Sequence, residues 1–129
     1  MGSPVVQFHL SARDPDALAG FYEALLSWNV RETRLTSVEA GVSGRFRWLE
    51  TGGGVPGGIA QEPTETGVVM IVRVDDVEAT LRRAQELGAM VHGREAFSLE
   101  GTDDADGVYD LGWVTDPAGN RIAVLESRA

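Results

Sequence analysis

Gln7 and His9 stand two residues apart in the apolar stretch "VVQFHLSA". Period 2 places both side chains on one face of a strand. A neutral imidazole beside a carboxamide can donate and accept hydrogen bonds and, near pH 7, move a proton. The competing reading of His9 is a partly buried ring satisfied by a backbone carbonyl. Arg73 and Arg121 are cationic donors of the kind that hold a carboxylate, a phosphate or an enolate-like oxygen. Their plainer alternative is snorkelling at strand ends or pairing with some of the 20 acidic residues. Trp48, Trp113, Tyr109 and Phe46 fall on candidate strands, where a ring either stacks on a flat ligand or fills a core.

Several chemistries are excluded outright. All 11 basic residues are Arg, so lysine Schiff bases and lysine general bases are absent. Without Cys there is no thiol nucleophile, disulfide or thiolate metal site. A net charge of −9 argues against a nucleic-acid or anionic-membrane partner. "MGSPVV" lacks the pattern of a signal peptide, and no apolar run reaches membrane-span length. A soluble cytoplasmic protein is the expectation. "EGTDDADG" groups four carboxylates but lacks the twelfth-position Glu of an EF-hand, and reads as a solvated loop. "TGGGVPGG" matches neither phosphate-binding pattern and reads as a flexible connection into the strand "GGIAQ".

The elements that must position these residues come as a repeat. "QFHLSARDPDALAGFYEALL" and "VMIVRVDDVEATLRRAQELG" are each a strand, an acidic turn and an amphipathic helix, with Asp14 in register with Asp76. The first helix is predicted over Pro15–Leu26, capped by Asp14, with Leu18, Phe21, Tyr22 and Leu25 as its apolar stripe. The second is predicted over Val77–Leu87, capped by Asp75 or Asp76 and stopped by Gly88, with Val77, Leu81, Ala84 and Leu87 as its stripe. Three strand signals follow each helix: "WNVRET", "GRFRWLE" and "GGIAQ", then "AMVHG", "VYDLGWVT" and "NRIAVLE". The chain thus predicts one α+β domain over 1–129, made of two βαβββ modules at about 5–62 and 67–127. Neither module can bury both faces of its sheet alone, so the two must combine.

The segments "ARDPDALAGFYEALLSW", "VRVDDVEATLRRAQELGA" and "TDPAGNRIAVLE" resemble the vicinal oxygen chelate superfamily of glyoxalase I, bleomycin-resistance proteins and extradiol dioxygenases. Ser27 departs from it, standing where that family's helix often ends in Gly. The resemblance implies two modules paired edge to edge into an open cup, helices outside, with metal ligands on four inward strand positions. Those positions carry over to Gln7, Ala60, Val69 and Ala123, of which only Gln7 has a donor atom. No metal and no other cofactor is therefore expected. His9 shares the inward face with Gln7. Arg73 and Arg121 share the faces of Val69 and Ala123, whereas Glu126 points away. On this alignment Gln7, His9, Arg73, Arg121, Trp48 and Trp113 would contact a small organic molecule, anionic ones included, and the acidic loop would lie near the cup mouth as a lid. The implied function is metal-free sequestration of that molecule, or metal-free acid/base chemistry with His9 as the catalytic group. The alternative is a metal-dependent lyase, isomerase or dioxygenase with displaced ligands. A homodimer is expected, partly from exposed sheet edges.

Overall fold

The computed structural model describes residues 2–37, 43–61, 67–100 and 107–127. The acidic loop (101–106) and most of the linker between the repeats (62–66) lie outside the described residues. The elements follow in the order β1 (Val5–Ala12), α1 (Pro15–Leu26), β2 (Asn29–Ser37), β3 (Ser43–Glu50), β4 (Gly57–Gln61), β5 (Gly67–Arg73), α2 (Val77–Glu86), β6 (Met90–Glu100), β7 (Gly107–Thr115) and β8 (Arg121–Ser127).

Both helices start as their caps dictate. The Asp14 carboxylate accepts from the Ala17 N–H at 3.1 Å, and Asp76 accepts from the Ala79 N–H at 2.9 Å. Glu126, on the outer face of β8, accepts from the Val77 N–H at 2.8 Å and so ties the first turn of α2 to the sheet. The outward placement expected of Glu126 therefore serves helix anchoring. The apolar stripes are narrower than predicted: Leu18 and Tyr22 pack on the sheet, but Phe21 and Leu25 of α1 and Leu87 after α2 are exposed. Helix α1 ends at Ser27, held at φ 58 in the left-handed region while its N–H bonds to the Glu23 carbonyl at 3.0 Å.

The eight strands close into a barrel in the order β1-β4-β3-β2-β6-β7-β8-β5. This corrects the expected open cup. Strands β2 and β6 would be the rims of a cup, yet they pair antiparallel from Arg34↔Glu100 to Ser37↔Phe97. Over that stretch the rim N–H and C=O groups find partners, which is the physical gain of closure. The sequence signals stopped short of this seam, with β2 read to Thr33 and β6 to Gly93.

Alternation sorts the side chains into three layers. Leu10, Ala12, Leu49 and Ile59 face outward beneath α1, joined by Phe8, Tyr22 and Trp28. Val114 and Val124 face outward beneath Val77 and Leu81 of α2. Inside the barrel, Phe46 and Trp48 meet Tyr109, and Ile71, Leu111, Ala123 and Leu125 form the opposite wall. Glycine makes two close approaches possible. A Cβ at Gly57 would stand 2.3 Å from the Phe8 ring outside, and one at Gly58 would stand 2.1 Å from the Phe46 ring inside.

Candidate functional site

The barrel holds a part-open chamber of about 190 Å³, with Gln7 and His9 on one wall and the rings of Phe46, Phe97, Tyr109 and Trp113 around it. Strand β1 positions the two polar residues. His9 lies opposite Val69 on β5 and beside Gly58 on β4. Because Gly58 has no side chain, the Phe46 ring crosses β4 and tilts against the imidazole, ring centres 5.3 Å apart. The His9 Nε2 is 3.3 Å from the Gln7 Oε1, a long contact whose donor is set by the imidazole tautomer and the amide orientation. Burial lowers the His9 pKa to about 4, so the ring is neutral at pH 7. Its hydrogen-bond partner is thus a neighbouring side chain, where the structural alternative expected a backbone carbonyl.

A second hollow adjoins the chamber and shares His9, Ala60, Phe97 and Trp113 with it. This mouth adds Ser11, Val69, His92, Glu95 and Arg121. The Arg121 guanidinium lies 5.7 Å from the centre of the Trp113 ring, a cation–π contact on the mouth wall. The His92 imidazole contacts the Thr115 hydroxyl at 2.6 Å, and the Ser37 hydroxyl donates to the Glu95 carboxylate across the β2–β6 seam. Glu95 and His92 were missed as site residues. The alternation of Glu95 and Phe97 in "REAFSLE" carried a strand signal for the first, whereas the irregular register between Val91 and Gly93 hid the second.

Gln7, His9, Trp113 and Arg121 are therefore brought together, and two other candidates are not. Arg73 is exposed and lies level with Leu125, while Arg121 stands four residues earlier on the parallel strand β8. At about 3.3 Å per residue the two arginines are some 13 Å apart along the ladder, too far to grip one small anion. Trp48 is buried against Phe46 and does not line the chamber.

The residues at the four expected ligand positions make a poor donor set. Ala60, Val69 and Ala123 carry only aliphatic carbon, and Gln7 offers a neutral amide. The register adds that Ala60 lies beside Ser11, so the β4 residue level with His9 is Gly58, which is equally without a donor. Among the described residues, no three His, Cys, Asp or Glu side chains are grouped to hold a metal ion. The superfamily's metal does not fit this set. No helix among the described residues is long and apolar enough to cross a membrane.

Two helices and eight strands closing one sheet around a chamber are consistent with the fold of the glyoxalase, bleomycin-resistance and dioxygenase superfamily. Within it, residues 7–125 match the family model of the glyoxalase-like domain, and the chain belongs to that family. Methylmalonyl-CoA epimerase from Mycobacterium tuberculosis is similar in structure at 15% identity and TM-score 0.66, over 100% of this chain and 93% of that one. A glyoxalase/bleomycin resistance protein/dioxygenase superfamily member from Vibrio splendidus 12B01 is similar at 18% identity and TM-score 0.63, over 98% and 99% of the two chains. The Streptomyces coelicolor methylmalonyl-CoA epimerase, solved with 2-nitronate-propionyl-CoA, gives 19% identity and TM-score 0.62, over 98% and 96%. At these identities the likeness shows the fold alone. No curated protein matches the chain by sequence.

Proposed function

We propose that this single-domain protein of two modules, 5–62 and 67–127, binds a small organic molecule inside its barrel without the superfamily's metal. The carrying observation is the part-open, ring-walled chamber whose polar face is the Gln7–His9 pair. Gln7, His9 and Trp113 are the contact residues in the chamber, Arg121 stands at its mouth, and Arg73 and Trp48 are dropped from the set. Sequestration is favoured over acid/base turnover. A general base works best with a pKa near the working pH, and burial holds His9 well below it. The metal-dependent alternative loses support because the displaced ligands it requires are not grouped among the described residues. The CoA esters of the epimerases are too large to enter such a chamber whole, so only an acyl-sized group could be shared with them. A cytoplasmic homodimer completes the proposal.

Purified, untagged protein dialysed without added metal should carry less than a tenth of an equivalent of Zn, Ni, Mn or Fe. It should still gain thermal stability from members of a small-metabolite library. Near-equimolar metal surviving dialysis would restore the metal-dependent reading. Conversion of a bound compound, seen by product analysis, would replace sequestration with catalysis.

A further inference from the structure

The Gln7–His9 pair has hydrogen-bonding capacity left over, and its kind does not depend on proton placement. If His9 Nε2–H donates to the Gln7 amide oxygen, Nδ1 remains as an acceptor and the Gln7 NH₂ as a donor. If the amide is turned so that its NH₂ donates to Nε2, the His9 Nδ1–H remains as a donor and the Gln7 oxygen as an acceptor. Among the described residues neither side chain has another hydrogen-bond partner. Polar groups walled into apolar surroundings are costly unless satisfied. The complement of such a wall is one ligand group that both gives and receives a hydrogen bond.

Size and charge narrow the ligand further. A dry cavity of about 150 Å³ is enough for benzene, so a chamber of about 190 Å³ holds one ring with a small substituent. Four aromatic side chains in the wall suit a flat ring. Among the described residues no Arg lines the chamber itself, and at the mouth Arg121 shares the lining with the acidic Glu95. An anionic group drawn inside would find no counter-charge.

We propose that the chamber selects an uncharged, single-ring molecule bearing one group that both donates and accepts a hydrogen bond, such as a phenolic hydroxyl or a ring amide. This rests on the binding function proposed above and names its ligand class. The test is calorimetric titration of the full-length protein at pH 7.5 with phenol, toluene and benzoate, alongside NMR spectra that locate the bound compound at the His9 and Trp113 rings. Phenol should bind at least tenfold more tightly than toluene or benzoate. The Gln7→Leu variant should reduce the phenol-over-toluene preference to under threefold, and Gln7→Glu, should the first fail to fold, should weaken phenol at least fivefold. Toluene bound as tightly as phenol would overturn the hydrogen-bonding claim, and benzoate bound as tightly would overturn the charge claim, with chamber binding intact in both cases. Phenol shifting neither ring would overturn the placement. Failure of all three compounds at millimolar concentration, with no hit from the metabolite library, would overturn the binding function as well.

Discussion

His9 carries two separable consequences. If the ring serves a ligand, His9→Ala should weaken binding of a chamber ligand more than tenfold, about 1.4 kcal/mol, within the range of one good hydrogen bond. His9→Gln should retain most of that affinity, because an amide still bonds but cannot shuttle a proton near neutral pH. Equal ligand binding by wild type and both variants, measured by calorimetry, would remove His9 from the site. The second consequence is a pH dependence of folding. The folded ring has its pKa lowered to about 4 from 6.5, so between those values the unfolded chain binds a proton that the folded chain does not. Stability therefore rises with pH across this window, is complete above about 6.5 and is lost toward 4, by up to about 3 kcal/mol. The carboxyls of Asp16 and Glu32, held below their ordinary values of 3.8 and 4.5 first by hydrogen bonds from Arg47 and Arg45 respectively, lose their contribution only as the pH falls through those values, at the acid edge of this window and below it. Urea midpoints measured from pH 7 to 5 should fall steeply for the wild type and stay nearly flat for His9→Phe. The type and spacing of Gln7 and His9 made them legible in the sequence. The failure of Arg73 to join them was not, because parity fixes a face while only register fixes a height.

At the scale of elements, the sequence read best where a local cause acts. Asp14 and Pro15 start α1 where expected, and Asp76 starts α2. The β2–β6 seam was not legible, because pairing between distant strands leaves no local mark. Two substitutions probe the local devices. Ser27 bears a side chain in the left-handed region, where glycine has no steric penalty. Ser27→Gly should raise stability by about 1 kcal/mol in urea unfolding, and an unchanged midpoint would show that the cap carries no strain. Gly58→Ala acts the other way, driving a methyl into the Phe46 ring that rests against His9. It should cost about 1–3 kcal/mol, as overpacking does, and weaken chamber binding, whereas Gly52→Ala on the open turn should leave binding unchanged.

For the molecule as a whole, closure narrows one argument for association while another stays. The pairing of β2 with β6 covers the rim only from Arg34 to Ser37 and from Phe97 to Glu100. The outer face of β5 still exposes Val68 and Met70 to solvent at 66% and 47% of their surface. A homodimer would bury that strip. Light scattering at micromolar concentration should give twice the chain mass of 13.8 kDa, and Val68→Glu should return it toward one. A wild-type monomer would end the dimer proposal. The α+β class was legible in the sequence because periodicity and caps encode its strands and helices. Whether the sheet closed was a matter of reach between modules.

The three tryptophans occupy three different surroundings, which gives the protein an optical sense of its own contents. Trp28 stacks on Tyr22 outside the barrel, Trp48 is sealed within the wall, and Trp113 alone of the three borders the chamber. Its indole also lies beneath the Arg121 guanidinium. A molecule entering the barrel must change the light that Trp113 emits while leaving the other two nearly constant. Each protein molecule thus reports its own filling without an added dye, and Trp113→Phe should silence that report.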